Sequence, residues 1–123
     1  MTQSILVADD EPSILLSLQF LLQKAGFEVR LAHNGEEVLQ AVEQSAPDLL
    51  LLDAMMPHRD GYDVCQTIRA DPRWTSLPII MLTAKSRDVE RQKGMALGAT
   101  DYVTKPFSTR DLVATVRKHL TVS

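Results

Sequence analysis

The sequence lacks several features that define particular classes of protein. Its 123 residues include one cysteine, Cys65, so no disulfide can form within the chain, and a free thiol suits a reducing cytosol. No run reaches the ~20 apolar residues that a membrane helix needs, and no basic segment followed by a long apolar run opens the chain. We therefore expect a cytoplasmic protein with neither membrane insertion nor a secretory signal.

Positive charge is not in excess either. Thirteen Lys and Arg stand against sixteen Asp and Glu, a formal net charge of −3. Direct nucleic-acid binding usually needs a basic face, so we expect none. What remains is an ordinary globular composition, 45% hydrophobic and 24% charged, with no linker or repeat. We expect residues 1–123 to form a single domain.

Hydrophobic patterning predicts strands that alternate with helices. Short apolar runs, together with two weaker ones, predict strands at Ser4–Ala8, Glu28–Leu31, Leu49–Leu52, Ile79–Leu82 and Asp101–Thr104. A helical pattern follows each run; the fourth, Arg87–Leu97, has only Val89 as an apolar residue in its first turns and should be less firmly held. The alternation predicts an α/β fold, (βα)5, with a doubly wound, flavodoxin-like parallel sheet of strand order 2-1-3-4-5.

Polar residues follow or end four of these predicted strands. Asp9 and Asp10 follow the first strand, Asp53 the third, Thr83 the fourth and Lys105 the fifth. Ligands of doubly wound sheets bind at the carboxyl ends of the strands. We therefore expect these five side chains to converge on one edge of the sheet.

Three carboxylates in one small pocket repel each other, and two events can relieve the repulsion. Either one carboxylate takes up a proton, or a cation binds. An all-oxygen site suits Mg²⁺, and beside Mg²⁺ an ionised aspartate can act as a nucleophile toward phosphorus. A lysine ammonium and a hydroxyl would then stabilise the charge on the transferring group.

Taken singly, each of these residues has a simpler interpretation. Asp9 and Asp10 could cap the first helix, and Asp53 could be a turn residue. Thr83 could be an ordinary hydroxyl at a strand end, and Lys105 a solvated loop lysine. The functional interpretation rests on the whole set, which places matched chemistry at four strand ends.

At this point the sequence resembles the response-regulator receiver domains of two-component signalling, including single chemotaxis-type receivers, over essentially its whole length. The resemblance is carried by four fragments in order: Asp9-Asp10, Asp53-Ala-Met-Met-Pro-His-Arg-Asp60-Gly61, Thr83-Ala84, and Gly98-Ala99-Thr-Asp-Tyr102-Val-Thr-Lys105-Pro106-Phe107. Each fragment is moderately specific, and together they are highly specific.

The resemblance implies a phosphorylation site that depends on a metal ion. Asp53 would be the phosphoacceptor. Asp10 and Asp53 would bind Mg²⁺ directly, together with the backbone carbonyl of Met55, and Asp9 would contribute through water. Mn²⁺ is an alternative cofactor.

The resemblance also implies a switch. Lys105 would contact the phosphoryl group, and Thr83 would hydrogen-bond it and be drawn inward. Tyr102 would turn inward with Thr83, although its position alone favours a plain core residue. The Lys105–Pro106 peptide bond would be cis.

The partners implied are a sensor histidine kinase or a phosphotransfer protein as the donor, and a downstream protein target. The target would bind the face formed by the fourth predicted helix, the fifth strand and the fifth helix. The chain would be a monomer or a weak dimer, and would catalyse only its own phosphorylation and dephosphorylation.

Three other functions compete with this one. A Mg²⁺-dependent phosphatase with an aspartyl intermediate usually carries a second acid two residues after its nucleophile, where this chain has Met55. A constitutive interaction module would not need the intact acidic set. The chain could also be the receiver part of a larger regulator, such as a transcription factor or a hybrid kinase.

Overall fold

The computed structural model describes residues 2–56, 59–83, 92–93 and 95–120. All five predicted strands are present: β1 (Ser4–Ala8), β2 (Glu28–Ala32), β3 (Leu49–Asp53), β4 (Ile79–Thr83) and β5 (Asp101–Thr104). Strands β2, β3 and β4 each extend one residue beyond the predicted apolar run. The extra residues still pair with a neighbouring strand, so Asp53 and Thr83 belong to the sheet itself.

Four α-helices lie within the described ranges. They are α1 (Pro12–Lys24), α2 (Gly35–Gln44), α3 (Gly61–Arg69) and α4 (Thr109–Leu120), and a short 3-10 helix (Pro72–Trp74) precedes β4. Helix α4 is the fifth helix of the sequence prediction. In the part of the chain that the structure describes, no helix has both the length and the apolar character to cross a membrane.

The fourth predicted helix explains the difference between four helices and the five of the (βα)5 prediction. It was placed at Arg87–Leu97, and most of that range falls on residues 84–91 and 94, outside the described residues. Residues 92, 93, 95 and 96 are helical. The Leu97 amide donates a hydrogen bond to the Lys93 carbonyl at 3.2 Å, which ends this segment in a helical turn.

The sheet is wholly parallel and has the order β2-β1-β3-β4-β5, so the predicted topology is confirmed. The central strand β3 is apolar from Leu49 to Leu52, and all four leucines are fully buried. A run without alternation is expected of a strand that helices cover on both faces.

Two hydrophobic layers enclose the sheet. Leu50 and Leu52 pack with side chains of α2 and α3, such as Val38 and Val64. Leu49 and Leu51 face the other way, toward α1 and α4. Successive residues of a strand point to opposite faces, so one strand supplies both layers and leaves its carboxyl end free for chemistry.

Candidate functional site

The carboxyl ends of four strands meet at one edge of the sheet. Asp53 is the last residue of β3 and pairs with Leu82, next to Thr83 at the end of β4. Asp9 directly follows β1, and Lys105 directly follows β5. The parallel register therefore brings together residues that lie as far apart as positions 9 and 105.

Three acidic side chains form a compact cluster at this edge. Carboxylate oxygens of Asp9, Asp10 and Asp53 all lie within 4.8 Å of one another. Asp9 is fully buried and Asp53 is 4% exposed, whereas Asp10 faces solvent. The cluster offers only oxygen ligands, which hard cations such as Mg²⁺ prefer, so the residues present fit a Mg²⁺ site.

Local hydrogen bonds orient two of these carboxylates. Asp9 accepts a hydrogen bond from the Glu11 amide at 3.0 Å. Glu11 is the N-cap residue of α1, and its own side chain makes no capping hydrogen bond. Asp53 accepts a hydrogen bond from the Met55 amide at 3.2 Å. The aspartates are thus held by the backbone that follows each strand.

Lys105 is the basic partner of the cluster. Its Nζ lies 2.9 Å from Asp9 Oδ2 and 3.4 Å from Asp53 Oδ1. Its side chain is 19% exposed, so the ammonium is largely shielded from water. One cation bridging two buried carboxylates leaves the site with a net negative charge.

Burial and neighbouring charges shift the pKa values of Asp53 and Lys105. The pKa of Asp53 is raised to about 6, first because burial disfavours its charged form and then because Asp9 repels it; Lys105 offsets part of the effect. Burial alone would lower the pKa of Lys105. Its hydrogen bond to Asp9 and the negative charges of Asp53 and Asp9 outweigh burial, so that pKa is raised and the ammonium stays charged.

Thr83 contributes a hydroxyl without a partner. The residue is 4% exposed, and its Oγ1 is buried with no hydrogen-bond partner in the described structure. Its backbone carbonyl accepts a hydrogen bond from the Lys105 amide at 2.6 Å, which ties the ends of β4 and β5 together. A buried hydroxyl left unpaired costs free energy, so this group is available to a ligand.

Gly61 lies very close to the backbone of Asp53 and Ala54. The Gly61 amide donates a hydrogen bond to the Ala54 carbonyl at 3.0 Å. A Cβ at Gly61 would lie 2.2 Å from the backbone oxygen of Asp53, closer than atoms can approach. The Asp60-Gly61 pair is visible in the sequence, but this close contact could not be predicted from it, because the approach arises only when β3 and α3 are assembled.

Tyr102 lies beside the site rather than within the acidic cluster. Tyr102 is on β5 and pairs with Met81 of β4, two residues before Thr104, which pairs with Thr83. Its ring is partly buried and packs against the hydrophobic layer on the α2 and α3 side of the sheet. This placement fits both the core and the switch interpretations.

Two other features that the resemblance implies lie next to the acidic cluster in the sequence: Met55 follows Asp53 by two residues, and the Lys105–Pro106 peptide bond follows β5. The side chain of Met55 is 67% exposed, immediately after the buried pair formed by Asp53 and Ala54. The Lys105–Pro106 peptide bond is cis, as the resemblance implies.

Comparison with known proteins agrees with this geometry. The family model of the response regulator receiver domain matches residues 5–117. A response-regulator structure from Chloroflexus aurantiacus is 38% identical, with a TM-score of 0.94 and 98% of each chain covered. The chemotaxis response regulator CheY4 of Vibrio cholerae is 32% identical, with a TM-score of 0.93, 98% of this chain covered and 100% of that one.

A third similar structure belongs to a longer protein. NtrX from Brucella abortus is 28% identical over 98% of this chain, with a TM-score of 0.89, but only 27% of NtrX is covered. Domains of this kind therefore occur both as whole chains and as parts of larger ones.

Proposed function

Because the chain belongs to the response regulator receiver domain family, we propose that it is a phosphorylation-activated switch of a two-component phosphorelay, with Asp53 as the phosphoacceptor. The phosphoryl donor is a sensor histidine kinase or a phosphotransfer protein. Residues 1–123 act as one receiver domain in the cytoplasm. Its catalysis is limited to its own phosphorylation and dephosphorylation.

One observation carries this proposal. Asp53 combines burial with two charged neighbours, Asp9 and Lys105, and its pKa is raised to about 6. A pKa near 6 leaves the carboxylate mostly ionised at neutral pH, so it can act as a nucleophile. A turn residue or a helix cap would not need this environment.

The residues also fit the chemistry of the transfer. An ionised oxygen of Asp53 attacks phosphorus; the new O–P bond forms while the P–N bond of the donor phosphohistidine breaks, and the electron pair returns to the imidazole nitrogen. Lys105, 3.4 Å from Asp53, is placed to contact the phosphoryl oxygens. The unpaired hydroxyl of Thr83 can donate a hydrogen bond to the same group.

The acidic cluster would hold Mg²⁺, or Mn²⁺ in its place. Asp10 and Asp53 would bind the ion directly together with the Met55 carbonyl, and Asp9 would act through water. When bound, the cation neutralises charge on the carboxylates and the phosphoryl oxygens. Its binding would also counter the two effects that raise the pKa of Asp53, which are burial first and then repulsion from Asp9.

Phosphorylation would be transmitted through Thr83 and Tyr102. Bonding to the phosphoryl group gives the buried Thr83 hydroxyl a partner, and Tyr102 turns inward with it. The downstream protein target binds the face of the fourth predicted helix, β5 and α4. Part of that face is a depression of about 280 Å³ whose lining includes Tyr102 and Phe107.

The test is direct phosphorylation of the purified protein. With Mg²⁺ and acetyl phosphate, intact mass should increase by one phosphoryl group, and the adduct should be base-labile. Asp53→Asn should abolish the adduct. Asp48→Asn should retain it, because Asp48 lies at the amino end of β3, where it accepts a hydrogen bond from the Ser4 amide.

An adduct that persists in Asp53→Asn would mean that another residue accepts the phosphoryl group. No adduct in the unaltered protein, under conditions where Mg²⁺ binds, would favour a constitutive interaction module. Either result would overturn the proposal.

A further inference from the structure

Arg59 joins the loop after β3 to two helices. Its Nε lies 2.5 Å from Asp63 Oδ2, and its two terminal nitrogens lie 3.0 Å from Glu36 Oε1 and 2.9 Å from Thr67 Oγ1. Glu36 is in the first turn of α2, while Asp63 and Thr67 are on α3. All three branches of one guanidinium are therefore bonded to neighbouring elements.

The backbone of Arg59 is also held. Gly35, the first residue of α2, is buried, and a Cβ there would lie 3.1 Å from both Cβ and the carbonyl oxygen of Arg59. Helix α2 thus presses on the loop at the same residue whose side chain reaches across to α3. Main chain and side chain together fix Arg59 between the two helices.

This residue lies in the segment that completes the proposed metal site. The Gly61 amide, two residues after Arg59, donates a hydrogen bond to the Ala54 carbonyl, and Met55, the next residue after Ala54, would offer its carbonyl to the cation. The Met55 amide is itself held, because it donates to Asp53 Oδ1. Arg59 anchors the chain just before Gly61.

We propose that Arg59 is a positioning residue for the metal site: fixed between α2 and α3, it holds Gly61 against the Ala54 carbonyl and so keeps the adjoining Met55 carbonyl where a divalent cation needs it. The inference rests on the proposed function. Groups that orient metal ligands without touching the metal change affinity measurably when removed. Lysine could not replace Arg59, because an ammonium lacks the planar fork that reaches three acceptors.

The sign of the effect separates positioning from simple electrostatics. Arg59 is a cation in a protein that binds Mg²⁺ through carboxylates, so removing its charge should, by Coulomb's law alone, strengthen Mg²⁺ binding slightly. Loss of the loop anchor should weaken it. Weaker binding in a variant without this charge can therefore not be an electrostatic effect.

The experiment measures the dissociation constant of Mg²⁺ alone, by calorimetric titration of the full chain. Arg59→Met should raise it about 3- to 10-fold, below the ~10- to 100-fold seen for groups bonded directly to metal ligands. Arg59→Lys should bind nearly as weakly as Arg59→Met. The matched control is Arg73→Met, which removes an exposed arginine paired with Glu43 and Asp71 at the other end of the sheet.

Arg73→Met should leave Mg²⁺ affinity within about twofold of the unaltered protein, because its exposed ion pairs lie at the other end of the sheet. Equal or tighter Mg²⁺ binding in Arg59→Met would overturn the inference, as would an equal loss in Arg73→Met. Because the titration needs no phosphoryl donor, it can fail or succeed independently of acceptor chemistry at Asp53.

Discussion

The two ends of the sheet treat their polar side chains in opposite ways. At the amino end, before β4 and β5, the guanidinium of Arg69 donates to the carbonyls of Gly98 and Trp74 and to the hydroxyl of Thr100. At the carboxyl end, the hydroxyl of Thr83 has no partner in the described structure. The guanidinium at the amino end is thus bonded at each of its nitrogens, whereas the hydroxyl at the carboxyl end has no partner among the described residues.

The contrast extends to the charged groups. Asp71, at the amino end, is bonded to Arg73, and this contact holds its pKa below the usual range. At the carboxyl end, burial and Asp9 raise the pKa of Asp53. One end is arranged for stability, whereas the other holds unfavourable free energy that a cation and a phosphoryl group would release under the proposed function.

The largest effect should come from a methyl group added beside the site. Gly61→Ala would place a Cβ 2.2 Å from the backbone oxygen of Asp53, and only a backbone shift can relieve that contact. We expect a loss of about 3 kcal/mol or more in the free energy of unfolding. Phosphorylation of Asp53 should fall with it, as measured by urea denaturation and by intact mass.

The matched change at the amino end is Gly26→Ala, in the turn between α1 and β2. Gly26 has a φ of +101°, and among the described residues no atom beyond its chain neighbours lies within 4 Å of an added Cβ, so backbone strain is what opposes the substitution. The cost should be about 1–2 kcal/mol, and phosphorylation should be retained. Equal costs at the two glycines would contradict the steric argument for Gly61.

Much of this architecture follows from the sequence, because the signals are local. The leucines of β3 and the isoleucines of β4 predict buried strands, and the polar residues that follow them mark the edge where the site forms. The sequence predicts a helix with few apolar residues at Arg87–Leu97, and most of that range lies outside the described residues. Where the signal is continuous and apolar, prediction and structure agree to one residue.

The relations between distant residues could not be read in advance. The sequence does not reveal that Arg69 reaches Thr100 or that Arg59 reaches Glu36, since such contacts depend on how helices pack. It places Lys105 at the right edge, but not its 2.9 Å contact with Asp9. The functional roles of all the site residues, Asp53 included, stay predictions.

Removing one carboxylate at each end of the sheet should change the free energy of unfolding in opposite directions, and by less than Gly61→Ala does. In the metal-free protein, Asp53→Asn removes a carboxylate that folding makes harder to ionise, so it should stabilise the fold. We expect a gain of about 1–2 kcal/mol at neutral pH, less than the full shift implies because solvent screens part of the charge. Asp71→Asn should destabilise, because it removes a carboxylate that Arg73 favours.

The pH dependence of the two variants should differ in the same way. The raised pKa of Asp53 costs stability as pH increases from about 4 to about 6, so the gain from Asp53→Asn should appear over that range and persist above it. The lowered pKa of Asp71 adds stability that is present above about 4 and lost in stronger acid. Urea midpoints measured from roughly pH 2 to pH 8 would test both; a gain from Asp53→Asn that is largest at pH 4 or below would contradict the assigned cause.

The sharpest comparison, with the smallest chemical change, replaces one threonine hydroxyl with a methyl group at each end of the sheet. Thr83→Val removes a buried hydroxyl that has no partner among the described residues, so it should stabilise the unphosphorylated protein by about 1 kcal/mol. Thr100→Val removes an oxygen that accepts from the Ile79 amide at 3.0 Å and from Arg69 at 3.1 Å. It should destabilise by about 1–2 kcal/mol, since the Arg69 donor is left half-buried.

Phosphorylation should affect the stability of the two threonine variants differently. With acetyl phosphate and Mg²⁺, the phosphoryl group gives the Thr83 hydroxyl a partner, so the unaltered protein should gain more stability on phosphorylation than Thr83→Val does. Thr100→Val should gain as much as the unaltered protein, because its lost contacts lie at the other end. If Thr83→Val gained equally, the unpaired hydroxyl would be a packing defect, and the contrast between the two ends would rest on the carboxylates alone.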